Sequence, residues 1–148
     1  MEFRPARRED VTQLLAIENA SFPTDRLERR AFHHAVRSPT ILAHVAINSE
    51  GEVAGYVLVQ IRRGSDLGWL TSVAVRPDAH GQGLGANLVR VAERATLDAR
   101  RTRIRLEVRA DNGSAQKLYE RAGYTRFEIV PDYYEDGGAA WRYEKALS

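Results

Sequence analysis

The chain has 148 residues, 43% of them apolar and 28% charged, which suits one globular domain (1–148) with a real core and leaves no room for a second. No run nears the roughly 18 apolar residues of a membrane span, Met1-Glu2-Phe3-Arg4-Pro5 lacks the apolar stretch of a secretory signal, and cysteine is absent. The formal charge is only +2, and the arginines interleave with carboxylates, as in Arg7-Arg8-Glu9-Asp10, instead of forming the basic stripe of a nucleic-acid binder.

The missing cysteines exclude disulfides, thiolate zinc sites and a cysteine acyl-enzyme, and they suit a reducing compartment such as the cytoplasm. Neither nucleic acid nor membrane is expected as a partner.

In chain order, Phe3 to Ala6 reads as a first strand. Asp10 is placed to cap a helix carrying Val11, Leu14, Leu15 and Glu18, which stops before Phe22-Pro23 because a residue preceding proline avoids helical geometry. A second helix spans Leu27 to Val36. The period then changes. Ile41 to Asn48 and Glu52 to Arg62 form a β-hairpin about Ser49-Glu50-Gly51, and Gly64-Ser65-Asp66 turns into a strand from Leu67 to Val75. Leu84, Leu88, Val91, Ala92, Ala95 and Ala99 recur at helical spacing, and Arg103 to Arg109 alternates as a half-buried strand. A short helix from about Ser114 to Ala122 ends at Gly123, and strands near Tyr124 to Val130 and Ala139 to Ala146 close the chain. The order β-α-α-β-β-β-α-β-α-β-β predicts an α/β domain with a mixed central sheet flanked by helices.

The segment Val73-Ala74-Val75-Arg76-Pro77-Asp78-Ala79-His80-Gly81-Gln82-Gly83-Leu84-Gly85-Ala86 carries the most chemistry. A strand runs through a proline turn into alternating glycines and then a helix. Glycines let a backbone approach a ligand, and free amides at a helix start favour phosphate. A phosphate or pyrophosphate is therefore expected near Gly83. The lysine of a P-loop is missing. A dinucleotide fold fits Gly81-x-Gly83-x-x-Ala86 loosely, but Arg76 to His80 separate strand from glycines where that fold turns at once.

His80-Gly81-Gln82-Gly83-Leu84-Gly85 resembles the Gln/Arg-x-x-Gly-x-Gly/Ala loop of the GNAT acetyltransferases, with His80 in place of Gln/Arg. Leu106-Glu107-Val108-Arg109, Asn112, Leu118-Tyr119 and Gly123-Tyr124 resemble that family's second signature. Together with Tyr133-Tyr134 they are most similar to its ribosomal-protein-alanine N-acetyltransferase (RimI-type) branch. The likeness runs from about Leu67 to Leu147. It implies acetyl-CoA as co-substrate, its pantetheine arm held by backbone groups of Val73, Ala74 and Val75 and its pyrophosphate by His80, Gly81, Gln82, Gly83, Leu84, Gly85 and Ala86. It also implies that Asn112 binds the arm or the substrate side, that Tyr119 protonates or hydrogen-bonds the departing sulfur, and that Tyr133 and Tyr134 line the acceptor side.

Glu107 is the candidate general base. An ammonium is no nucleophile, and α-amines hold their proton to pH ~7.7–8.0 and lysine to ~10.4, so a proton must leave first. A carboxylate in a partly dry cleft suits that work, directly or through a water. The competing expectation is a solvated ion pair with Arg105 or Arg109, and for Tyr119 a core aromatic beside Leu118 and Ala122. His33 and His34 point apart on one helix with no third ligand spaced for a metal, so none is expected. The acceptor is expected to be a protein or peptide N-terminal α-amine. A small-molecule amine is the alternative, and a non-catalytic acyl-CoA-binding module a third reading that would need neither Glu107 nor Tyr119.

Overall fold

The computed structural model describes Met1–Ser148. Its strands are β1 (Glu2–Pro5), β2 (Ile41–Ile47), β3 (Val53–Ile61), β4 (Leu67–Val75), β5 (Arg103–Arg109), β6 (Thr125–Val130) and β7 (Ala140–Ala146). Its helices are α1 (Val11–Ser21), α2 (Arg29–Arg37), α3 (Leu84–Asp98) and α4 (Gly113–Arg121). The strands form one sheet in the order β1-β2-β3-β4-β5-β7-β6. Only β4 and β5 pair in parallel, as the α3 crossover between them allows.

Both faces of the sheet's centre are covered, so β3 is buried along nearly its whole length instead of alternating. On one face α3 packs over β2–β4, and its buried residues Leu84, Leu88 and Ala92 join Ile104, Leu106, Tyr119 and Tyr143 in the larger core. On the other, α1 and α2 set Val11, Leu14, Ile17 and Phe32 against Val45 and Tyr56. The close seat of α3 needs glycine in the strands beneath. A Cβ at Gly68 would lie 2.7 Å from Thr96 Cγ2, and one at Gly55 2.9 Å from Leu88 Cδ1.

The element order and type match the sequence expectation, with ends shifted by one or two residues. Two local expectations need correction. Asp10 does not cap α1: its carboxylate turns back to accept the Arg7 amide at 2.7 Å and the Arg4 guanidinium at 2.8 and 3.0 Å. The buried stripe of α3 takes in Val89 and Thr96, while Val91 and Ala95 are only half-buried and Ala99, just past the helix end, packs against the core. Thr96 tolerates full burial because its hydroxyl donates to the Ala92 carbonyl at 2.7 Å.

The parallel ladder of β4 and β5 stops at Leu70 and Leu106, and beyond that point the two strands separate. A register shift in β3–β4 next to Thr71 bends β4 there. Each strand remains paired on its far side, β4 with β3 and β5 with β7, so the gap between them is rigid on both walls.

Candidate active site

The gap opens into a cleft of about 360 Å³. Its walls are Leu70 to Val73 of β4 and Glu107 to Arg109 of β5, its end is Asn112, Ala115 and Tyr119, and Glu18, Phe22 to Asp25 and Tyr134 roof it. The sequence candidates Val73, Glu107, Asn112, Tyr119 and Tyr134 thus share one cavity.

One wall offers main-chain groups. Arg76 donates its amide to Ala54 of β3 at 2.8 Å, and alternate residues of a strand face the same neighbour. By that alternation Ala74 faces β3, while the N–H and C=O of Val73 and Val75 turn toward the open side. At the end of β4 the amides from Gly81 to Ala86 donate to no backbone carbonyl. Gly81 and Gly83 sit at φ +82° and +72°, with nothing within 4 Å of where a Cβ would stand. This row of free donors, in a conformation only glycine adopts at ease, matches what a pyrophosphate requires. The side chains there do other work: Leu84 and Ala74 are buried in the two cores, Gln82 is exposed, and the His80 ring hydrogen-bonds the Val75 carbonyl at 3.0 Å.

Glu107 stands on the opposite wall, its side chain 10% exposed. Oε1 accepts from Trp69 Nε1 at 3.0 Å and from the Tyr133 hydroxyl at 3.1 Å, and Oε2 lies 3.4 Å from Arg142 Nε. Neither arginine of the competing expectation reaches it. Arg105 pairs with Glu144, and Arg109 with Asp111 and Asp136. The ion pair exists, but with Arg142, and it leaves the Glu107 side chain largely shielded from solvent. The unanticipated partners carry no local signal, since Trp69 and Glu107 lie 38 residues apart.

Tyr119 is both core and site. It is 4% exposed, packs edge-on against Tyr124 at 5.5 Å, and still lines the cleft. Burial first, then the neighbouring Tyr134, pushes its phenol well above the ordinary range, so it stays protonated. Asn112 caps α4: its Oδ1 accepts from the Ala115 amide at 3.1 Å, a structural role the family signature does not announce.

Tyr133 and Tyr134 belong to the loop before β7, with rings 5.0 Å apart. Burial, then the charge of Glu107, raises the Tyr133 phenol, and burial first pushes Tyr134 up to about 12. This loop is joined to the α1–α2 loop across the cleft. The Asp25 amide donates to Glu135 Oε1 at 2.9 Å, and the Glu135 amide donates to Asp25 Oδ1 at 3.3 Å.

A second carboxylate reaches the cavity. Glu18, 2% exposed, accepts from the Tyr56 hydroxyl and takes the Leu27 amide on Oε2 at 2.8 Å, with Ser72 Oγ 3.2 Å from the same tyrosine oxygen. A carboxylate four residues after Leu14, on the apolar stripe of α1, was the available signal for it.

A profile described as the Acetyltransferase (GNAT) family matches residues 8–124. A Bacillus subtilis protein, provisionally assigned as a ribosomal protein bS18-alanine N-acetyltransferase, is 33% identical over 135 residues, covering 91% of this chain and 87% of its own. The catalytic subunit ard1 of the Schizosaccharomyces pombe N-terminal acetyltransferase A complex is 30% identical, covering 100% of this chain and 86% of its own. The crystal structure of the Escherichia coli ribosomal-protein-S18-alanine N-acetyltransferase matches with a TM-score of 0.88 at 25% identity, over 99% of this chain and 94% of that one.

Proposed function

The chain belongs to the GNAT family of acetyltransferases, and we propose that it moves an acetyl group from acetyl-CoA to the N-terminal α-amine of a protein or peptide, with Glu107 as general base. The observation that carries this reading is Glu107 itself, braced on three sides at the mouth of a cleft whose facing wall is free main chain.

The residues present fit acetyl-CoA. The free amides of Gly81 to Ala86 would hold its pyrophosphate, and the Val73 and Val75 edge its pantetheine arm, in strand-like pairing. Bound there, acetyl-CoA supplies a thioester acyl group in the β4–β5 gap. An ammonium acceptor entering between the two laced loops first loses a proton to Glu107. Oε2 is sealed beside Arg142, so Oε1 is the oxygen left to take that proton, directly or through water, and the Tyr133 hydroxyl must share it. The neutral amine then attacks the thioester carbonyl and the C–S bond breaks; the second proton shed by the nitrogen leaves on the sulfur as thiol, and Glu107 returns the first to solvent. Tyr119 remains a neutral phenol, so it serves as a hydrogen-bond donor to a departing thiolate, whose own pKa is ~8.5, more than as a net acid. The cysteine-free chain supports direct transfer in one ternary complex and work in the cytoplasm.

The acceptor follows from the relatives' named activities together with the two-loop roof, which encloses the end of a chain better than a side chain midway along one. Labelled acetyl-CoA, offered with peptides bearing free N-termini, N-blocked lysine peptides and small amines, should acetylate the free N-termini at least about tenfold faster in kcat/KM, a gap of ~1.4 kcal/mol. Acetyl-CoA at about 100 times Kd should also stabilise the fold by ~2.7 kcal/mol in thermal unfolding. NAD should give no shift. Preference for a small amine, or stabilisation by NAD alone, overturns the reading.

A further inference from the structure

The brace behind Glu107 is a row of side chains across four strands. Arg142 of β7 lies opposite Glu107 of β5, and Glu128 of β6 lies opposite Arg142 on its other side. Arg142 Nη1 donates to Glu128 Oε1 at 2.9 Å, its Nε faces Glu107 Oε2 at 3.4 Å, and its Cζ lies 5.6 Å from the centre of the Trp69 ring. Trp69 closes the triangle through its indole bond to Oε1. Glu107 Oε2 and Arg142 Nε are both buried and make no hydrogen bond, to each other or to anything else. Charge alone therefore holds that side of the carboxylate, while Oε1 carries the hydrogen bonds.

We infer that Arg142 is a positioning residue for the base: it holds Glu107 by Oε2 and so leaves Oε1 for the acceptor's proton, and Glu128 holds Arg142 in place to do so. This rests on the reading of Glu107 as the base. The other titratable groups around Glu107 are Tyr133 and Tyr134 from the loop before β7, with Glu18 of α1, Asp25 of the α1–α2 loop, Tyr119 of α4 and Arg109 of β5 around the cavity. Arg142 is the cation paired with it. An arginine that only tied sheet strands together would add stability, and its loss would cost the same rate with or without the Glu107 carboxylate. A proton arriving on Oε2 would meet a guanidinium, so Arg142 also steers the proton to Oε1.

The test is kcat and KM, at one pH, for Arg142→Met, Arg142→Lys and Glu128→Gln. Arg142→Met leaves the Oε2 side of Glu107 without its cation and should lower kcat about tenfold, with the acetyl-CoA KM within about twofold. Arg142→Lys keeps the charge and should restore most of that loss. Glu128→Gln, on an exposed edge strand that tolerates change, releases the far end of Arg142 and should give a smaller loss in the same direction, about two- to threefold. Should Arg142→Met not fold, the loss in Glu128→Gln and its disappearance in a Glu107→Gln background still decide the assignment.

In a Glu107→Gln background, Arg142→Met should cost no further kcat. An unchanged kcat in Arg142→Met, or an equal loss in the native and the Glu107→Gln backgrounds, would overturn the assignment while the base stands if Glu107→Gln is itself impaired. If Glu107→Gln alone leaves the rate untouched, the base reading fails and takes this one with it.

Discussion

The two walls of the cleft are built from different materials. The β4 wall and its continuation from Gly81 to Ala86 offer main chain: free amides, an unpaired strand edge and glycines at positive φ. The β5 wall and its roof offer side chains brought from distant points: Trp69 and Arg142 on Glu107, Glu135 on Asp25, Tyr56 on Glu18. In the proposed function, main chain binds the pyrophosphate and the amide-rich arm of acetyl-CoA, and side chains do the proton chemistry and choose the acceptor. The difference predicts which substitutions hurt on each side. On the β5 wall removing a functional group should be costly, whereas on the β4 wall adding atoms should be.

Glu107→Gln tests the side-chain wall and carries the largest expected effect. It keeps the size of the group but cannot take the amine proton, and general-base assistance is typically worth ~10²–10⁴-fold, so kcat should fall by about that much. Acetyl-CoA affinity should barely change, because Glu107 stands across the gap from the main-chain wall. The loss should shrink as pH rises toward the amine's own pKa, where solvent deprotonates the acceptor unaided. If the Arg142 pair were only structural, the variant would melt earlier and its rate would not recover at high pH. Profiles from about pH 6 to 10, taken with melting curves, separate the two. Equal stability and equal activity throughout would remove Glu107 from the mechanism.

The same division explains what the sequence made legible. Strand and helix identities follow from periodicity within each segment, and β4 and β5 read to their observed ends. The glycine loop proposed to hold the pyrophosphate was legible because Gly81, Gly83 and the helix start at Leu84 are adjacent in the chain, and their geometry is local. Glu107 and Tyr119 came from motif resemblance, but nothing nearby announces Trp69, Arg142 or Asp25, whose partners lie tens of residues away and meet only when the sheet forms. Asp10 shows the same effect in miniature: helix-cap chemistry was expected, but Arg4 on the neighbouring strand competed for the carboxylate and won.

Gly83→Val tests the main-chain wall by addition. Gly83 has φ +72°, where a β-branched residue costs at least ~1–2 kcal/mol, so the melting temperature should fall by several degrees. The fold itself leaves room, since nothing lies within 4 Å of the new Cβ. That space is where the pyrophosphate would approach. Loss of one charge-assisted hydrogen bond, ~1.5–3 kcal/mol, should raise the acetyl-CoA KM by roughly 10- to 100-fold with kcat far less affected. An unaltered KM, measured well below the variant's melting point, would take the loop out of the site.

Gly85→Ala should have the smallest effect, and it decides whether the wall as a whole or a single point on it excludes added atoms. Gly85 is the second residue of α3 and has no positive φ. A Cβ there would meet only Leu118 Cδ2, at 3.8 Å, an ordinary packing contact on the side facing α4. The added methyl thus points into the protein, away from the open face at Gly83, and the GNAT loop pattern admits alanine at this position. Glycine within a helix costs ~0.5–1 kcal/mol relative to alanine, less in the first turn, so the melting temperature should rise by about 1–3 °C. The acetyl-CoA KM should stay within about twofold, because the Gly85 amide is untouched and its approach remains open. Kinetics and melting curves for Gly83→Val and Gly85→Ala, taken side by side, then set a positive-φ glycine against a helical one two residues away. A tenfold rise in KM for Gly85→Ala with stability intact would mean that the ligand lies against α3 itself. The phosphates would then sit over the helix start and not over the turn before it, and the Gly83 result would have to be read as backbone strain alone.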